Sequence, residues 1–201
     1  MTLLEQLQSG APITDEDFDA LYTPEMKAIA DFHFTPVEVA RSAAEFLAPG
    51  SDSHVLDIGS GAGKFCMIGS ATTSGRFTGV EQRKELHDLA THLSETLDWP
   101  RVDFRHGNIM EVSLQPFSGI YYFNAFFEHI IPDDAIDDSI AFSRTRHTLY
   151  VLYVNQQLAR MPPGTRLVTY FSYANMIPWS YESVETEFDG KLIKWIQRNI
   201  E

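Results

Sequence analysis

The stretch His54-Val55-Leu56-Asp57-Ile58-Gly59-Ser60-Gly61-Ala62-Gly63-Lys64 constrains this chain more than any other. A short apolar run ends in an aspartate and breaks at once into three alternate glycines, and residues 65–71 then read as the first turns of a helix. A buried strand, a tight glycine turn and a helix start make the mouth of a nucleotide-type site, because only glycine lets the backbone press against a ligand there.

The rest of the chain alternates in the same manner. Arg76–Glu81 reads as a second buried strand ending in an acid, and residues 82–97 as a helix carried by Leu86, Leu89, Ala90, Leu93 and Leu97, stopped by Trp99-Pro100. Val102–His106 and residues 119–124 read as further strands. A helical region with Leu149, Leu152, Val154 and Leu158 halts at Pro162-Pro163-Gly164, before a fifth strand over 166–171. Residues 184–188 and 191–196 flank Asp189-Gly190, a pair suited to a two-residue type I′ hairpin turn. Upstream, Thr14, Thr23 and Thr35-Pro36 are helix-start signals, with Pro36 expected at the first helical position. Strand–helix alternation calls for a mostly parallel sheet covered on both faces. The expected fold is therefore α/β, a Rossmann-like three-layer sandwich. Residues 1–50 form a helical cap of the same domain, and 51–201 the binding domain.

Composition narrows the partners. The 201 residues hold enough chain for one well-filled core, with 44% hydrophobic and 21% charged residues. A formal net charge of −13 argues against a large non-specific nucleic-acid surface, which needs clustered Lys and Arg. Cys66 is the single cysteine, which rules out an internal disulfide and fits a reducing compartment; its place predicts a small core residue. No apolar run approaches the ~20 residues that cross a bilayer, and the N-terminus lacks a signal-peptide layout. A cytoplasmic protein with a small-molecule or protein partner and no membrane is expected; oligomeric state is left open.

Three ligands compete for the glycine turn. A P-loop needs Gly where Ile58 stands and Ser or Thr where Phe65 stands, so that reading fails. A dinucleotide loop wants its last glycine at Lys64, one residue later than Gly63. The third reading fits: Val55-Leu56-Asp57-Ile58-Gly59-x-Gly61-x-Gly63 resembles motif I of the class I S-adenosylmethionine-dependent methyltransferases. Glu81, 22 positions beyond Gly59, stands where that family places the acid that accepts from the ribose hydroxyls, with Gln82 beside it. Gly107-Asn108-Ile109 matches the adenine-binding end of the third strand. Met161 to Leu167 resembles the family's lead into strand five, and the terminal hairpin its last two strands. The resemblance spans about residues 50–198 and implies the strand order 3-2-1-4-5-7-6. It also implies S-adenosylmethionine as cofactor, S-adenosylhomocysteine as product, and no metal. Asp57, Gly59, Gly61, Gly63, Glu81, Gln82, Asn108, Ile109 and Asn124 are the cofactor-binding candidates it names. Asp57 suits the sulfonium cation, while the glycine-loop amides and the helix start suit the carboxylate.

Asn124-Ala125-Phe126-Phe127-Glu128-His129 lies where the family presents acceptor-binding residues. It is similar to the Asn-Pro-Pro-aromatic signature of amino-group methyltransferases, without the prolines. It is also similar to the Asn-x-aromatic stretch of the non-SET histone-lysine methyltransferases, whose first motif and strand-two Gly-Val-Glu likewise resemble motif I and Gly79-Val80-Glu81 here. Asn124 is expected to orient an amine or amide acceptor, Phe126 or Phe127 to wall it, and His129 or Glu128 to serve as base. Asn124, Phe127 and His129 are the catalytic candidates. Tyr22, Phe32 and Phe34 are candidate lid aromatics. Two rivals stand beside this reading. One is a sensor or scaffold that binds the cofactor without transfer; the other, a nicotinamide-dependent reductase, lacks a Tyr-x-x-x-Lys pair.

Overall fold

The structure is a computed structural model that describes residues 1–172 and 176–199, so residues 173–175 and 200–201 of the expected binding domain lie outside the description. Strands β1 (His54–Ile58), β2 (Arg76–Glu81), β3 (Val102–His106), β4 (Gly119–Phe123), β5 (Arg166–Tyr170), β6 (Tyr181–Glu187) and β7 (Leu192–Gln197) pair in the order β3-β2-β1-β4-β5-β7-β6. The first five run parallel, and β7 is antiparallel to both β5 and β6. This is the topology that the resemblance implies.

Period-two alternation sends side chains to two different layers. Val55, Phe77, Tyr121 and Val168 pack with α4 (Val37–Leu47) and α5 (Lys64–Thr72). Leu56, Ile58, Ile120, Tyr122 and Leu167 pack with α7 (Arg144–Ala159). α6 (Lys84–Thr96) buries Leu86, Ala90 and Leu93. α7 meets the sheet through Tyr150, Val154 and Leu158, so the predicted stripe is half right: Leu149 and Leu152 lie about half exposed on its outer side.

Residues 1–50 hold four helices where the cap-like signals predict two or three. α1 (Leu3–Gln8) carries a Thr2/Glu5 capping box, α2 (Asp15–Asp19) a Thr14/Asp17 box, and α3 (Pro24–His33) a Thr23 cap. α4 starts one residue later than its sequence signal. Thr35 turns its hydroxyl to Tyr121 Oη at 3.0 Å, Pro36 becomes the cap residue, and Asp15 Oδ1 accepts the Val37 N–H at 2.9 Å. Lys64 is buried and bonds Asp15 and Asp19, each at 2.7 Å, which ties α2 to the start of α5. Phe18, Tyr22 and Leu7 share one core with Val55 and Phe65.

The hairpin also departs from expectation. β6 and β7 pair as far as Glu187 with Leu192, leaving a four-residue connection with positive φ at Phe188, Asp189 and Gly190. A two-residue type I′ turn needs only two such residues, and the third lengthens the loop. Among the described residues, no helix is long and apolar enough to cross a membrane.

Candidate active site

A cavity of about 500 Å³ opens at the carboxyl ends of β1, β2, β4 and β5, where the strand order reverses between β1 and β4. Crevices of this kind hold ligands in open α/β sheets because loops diverge there. Gly59, Gly61, Glu81, Gln82, Gly107 and Ile109 line one side. Phe123, Asn124, Phe126, Phe127, Tyr170 and Phe171 line the other, and Phe32, His33 and Phe34 of the cap close the third.

The glycine loop supplies room rather than donors. Gly59 has φ +76°, and a Cβ there would sit 2.9 Å from Ala125 Cβ. The Gly59 and Ser60 N–H groups both donate to the Val80 carbonyl, at 3.0 and 3.1 Å, and Gly61 N–H donates to Glu81 Oε2 at 2.9 Å. The expected amides for a carboxylate are thus taken within the protein. Gly63 lies away from the cavity: with φ +83° it caps α5 and lets Phe104 and Ala90 approach, since a Cβ would fall 2.5 Å from the Phe104 ring. Its role is packing between helix and sheet.

Glu81 is buried, and its carboxylate faces the cavity while accepting from Gly61 and, at 2.7 Å, from Arg83 N–H. Burial raises its pKa against the pull of these amides. Asp57, in contrast, lies behind the wall, with Cys66 Sγ 3.6 Å from Oδ2. Full burial pushes its carboxyl up to about 8, and the Glu81 charge adds to the rise. A carboxyl that keeps its proton at neutral pH does not supply the anion expected beside a sulfonium. Cys66 is a core residue, its thiol pushed up by the same burial.

Asn108 is also turned aside. Its Oδ1 accepts from Met110 N–H at 2.9 Å and its Nδ2 donates to Tyr150 Oη at 2.8 Å, so only its neighbours Gly107 and Ile109 reach the cavity. Its side-chain carbonyl, expected to take an adenine N–H, caps a 3-10 turn instead. His129 is buried against Tyr150 and Phe142, outside the cavity. Its Nδ1 accepts the Ser143 N–H at 3.1 Å, which fixes the Nε2–H tautomer, and burial followed by Arg146 lowers its pKa. Neither geometry nor access suits a base. Glu128 lines the cavity but is ion-paired to Arg83 at 2.5 Å.

Asn124 lines the cavity. It ends β4 with φ +41°, a left-handed conformation that Asn tolerates better than most residues. Its backbone N–H reaches Ser172 Oγ at 3.4 Å, and its side-chain amide makes no hydrogen bond among the described residues. Phe127 lines the same wall. Of the lid aromatics, Phe32 and Phe34 line the cavity, while Tyr22 packs behind Phe34 with ring centroids 5.3 Å apart.

Several lining residues escaped sequence reasoning, among them Asp31, Ile136, Tyr150 and Tyr170, and two others stand out. Phe171 ends β5 with φ +50° and is about half exposed at the mouth, and no local pattern announces an aromatic in that conformation. Arg83 sits two residues past Glu81 with its guanidinium buried on two carboxylates, a pairing over 45 and 54 positions of sequence. Among the described residues, no group of three or more His, Cys, Asp or Glu side chains could hold a metal ion.

The residues present fit an adenosyl cofactor with a cationic centre. A buried acid faces a space that glycines keep open, and Arg83, the lysine and arginine contribution to the lining, is already neutralised. Comparison with known proteins points the same way. The family described as "Methyltransferase domain" matches residues 55–146. The comparison with curated protein sequences gives no match. An RNA methyltransferase from Salinibacter ruber, solved with S-adenosyl-L-homocysteine, superposes with TM-score 0.58 at 18% identity, covering 83% of this chain and 95% of that one. TrmN from Thermus thermophilus gives 0.60 at 14% identity over 87% of this chain and 52% of its own. The protein yhhF from Escherichia coli gives 0.56 at 13% identity, over 79% and 84%.

Proposed function

We propose that this chain, a class I S-adenosylmethionine-dependent methyltransferase, methylates nitrogen, on an amine or amide of a protein side chain or small molecule. The observation that carries the acceptor half is Asn124: a positive-φ position just past β4 whose side-chain amide makes no hydrogen bond among the described residues, on a cavity wall shared with aromatic rings. When bound, S-adenosylmethionine supplies an electrophilic methyl on a good leaving group, so the protein's task is placement and exclusion of water.

Glu81 would hold the ribose hydroxyls, with Gln82, Gly107 and Ile109 beside the adenosyl group and Gly59 and Gly61 giving it room. Asn124 accepts from the acceptor N–H through its carbonyl and so turns the nitrogen lone pair inward. Phe32, Phe34, Phe127 and Phe171 form apolar walls that strip water from the nitrogen. An acceptor nitrogen in its neutral form needs no strong base, which agrees with the placement of His129 away from the cavity. A phosphate-rich acceptor fits less well, because Arg83 is committed to Glu128 and Asp137. The histone-lysine-like grouping rests on motif I, Gly79-Val80-Glu81 and the Asn124–Phe127 segment, and is part of this proposal. So does the assignment of residues 1–50 as a cap of the same domain.

The test pairs calorimetry with label transfer. S-adenosylhomocysteine is expected to bind, and Glu81→Gln to weaken it by about tenfold or more. Asn124→Ala is expected to keep that affinity and lose transfer of radiolabelled methyl to lysine-rich protein or small amines. Binding of NAD alone would overturn the cofactor. Label appearing on RNA alone, or Asn124→Ala with undiminished turnover, would overturn the acceptor assignment.

A further inference from the structure

Arg83 breaks a local rule. It occupies the N-cap of α6, where a cation opposes the helix dipole and a Ser or Asp would supply a capping oxygen. It makes no cap bond, and its side chain is only 6% exposed. The guanidinium reaches across the cavity rim instead. Nη2 donates to Glu128 Oε2 at 2.5 Å and Nε to Asp137 Oδ1 at 3.0 Å.

Those two carboxylates organise the segment between β4 and α7. Glu128 uses its other oxygen to accept the Ile136 N–H at 3.0 Å. Asp137 Oδ1 also accepts from the Ser139 N–H at 3.0 Å and hydroxyl at 2.6 Å. Between Phe123 and Arg144 the chain has only two 3-10 turns, Phe127–His129 and Pro132–Asp134. Among the described residues, both ion pairs that hold this stretch end on Arg83. Glu128 and Ile136 line the cavity beside Phe127. On the other side, the Arg83 N–H donates to Glu81 Oε1, the carboxylate that faces the cofactor space. One residue therefore joins both walls. Arginine suits this, because its planar fork grips two carboxylates in fixed geometry where a lysine offers a point charge.

We propose that Arg83 is a positioning residue that couples cofactor occupancy at Glu81 to the placement of the acceptor-side wall, residues 128–139. The coupling rests on the function proposed above; the grip on the segment does not. A ligand that fixes the Glu81 carboxylate also fixes the Arg83 backbone, and through the guanidinium the Ile136 and Ser139 amides. The coupling then appears as protection of those amides when the cofactor site fills.

Hydrogen exchange on the full chain reads it, with S-adenosylhomocysteine as the probe. In the wild type, the probe is expected to slow exchange at Ile136 and Ser139. Arg83→Met is expected to speed that exchange at least about tenfold without ligand, equivalent to ~1.4 kcal/mol. It should also abolish the ligand-dependent slowing, while β1, β2 and β4 stay protected. Arg83→Lys is expected to recover part of it. If Arg83→Met does not fold, Asp137→Asn cuts one arm at a partly exposed side chain and is expected to release Ser139. Unchanged exchange in the variants would overturn the proposal, as would equal slowing by the ligand in wild type and Arg83→Met. A wild type that does not bind S-adenosylhomocysteine would overturn the coupling together with the functional reading, and the ligand-free exchange would still score the grip.

Discussion

Asp57→Asn should invert the order of stability between wild type and variant as pH rises. Asp57 sits in motif I with its carboxyl pushed up to about 8 from an ordinary 3.8. Below pH 3.8 both folded and unfolded chains bind its proton, and the residue contributes no pH dependence. Between the two values the unfolded chain has released the proton and the folded one keeps it. Stability then falls by up to ~1.4 kcal/mol per pH unit, and the fall ends only above about 8. From 3.8 to neutrality the loss is on the order of 4 kcal/mol.

Asparagine has the same shape, does not titrate, and can still accept from Cys66 Sγ. Its NH₂ enters a dry wall without a partner, a fixed cost of about 1–3 kcal/mol at every pH. The variant should therefore be the less stable protein at pH 4 and the more stable one at pH 8. On these figures the curves cross between about pH 4.5 and 6. Urea unfolding from pH 4 to 8.5 on both proteins measures this. The difference between the curves isolates Asp57, since Glu81, also raised by burial, titrates in both. Parallel curves, or an asparagine protein still weaker at pH 8, would refute the reasoning.

Lys64→Met leaves Asp19 buried without its cation, while Asp15 is partly exposed and matters less. About 2–4 kcal/mol should be lost at neutral pH, less on acidification as Asp19 takes a proton, with faster proteolysis inside residues 1–36; unchanged proteolysis there would deny that Lys64 anchors the cap. Gly59→Ala places a side chain at φ +76° and against Ala125, so S-adenosylhomocysteine affinity should drop at least about tenfold by calorimetry. Retained affinity would mean the loop yields at no cost. Phe171→Gly relieves about 1 kcal/mol of left-handed strain and loses the ring 5.3 Å from Lys191 Nζ. Denaturation should show stability within ~1 kcal/mol of wild type while amine methylation falls; a loss above about 2 kcal/mol would make the ring core packing.

The sheet was legible because its signals are local and mutually consistent. Apolar runs bounded by glycine and proline placed β1 to β5 within about a residue, and Thr14 and Thr23 cap where their spacing says. The misses share another physical origin. Leu149 and Leu152 fit a helical stripe, yet which stripe meets the sheet is decided by Tyr150, which reaches Asn108 and Phe126. Thr35 had the right residue type for a cap, but Tyr121 claims its hydroxyl across 86 positions. Gly63 reads as a ligand contact until Phe104, 41 positions on, is found against it. In each case a long-range partner decided between two locally acceptable roles.

The same test separates the candidates within the site. Asn108 and His129 have suitable chemistry, but Asn108 has its Oδ1 and Nδ2 engaged by Met110 and Tyr150, and His129, outside the cavity, has its Nδ1 engaged by Ser143. Elsewhere, the non-glycine residues held at positive φ have a structural setting, and Asp98, at φ +49°, follows the Leu97 cap that ends α6. Arg101, at φ +54°, has its guanidinium on the Gly75, Ser70 and Thr73 carbonyls; Phe188 and Asp189 lie in a hairpin turn that needs the conformation. Asn124 and Phe171 differ in facing the cavity, although the Phe171 N–H donates to the Lys191 carbonyl at 3.0 Å and its ring meets Tyr170 and Lys191. The two follow adjacent parallel strands at positive φ, one with a side-chain amide that makes no hydrogen bond among the described residues and the other with a half-exposed ring, and both face one cavity. Positive φ repeated on neighbouring strands and aimed into one space marks the place where the proposed acceptor would sit.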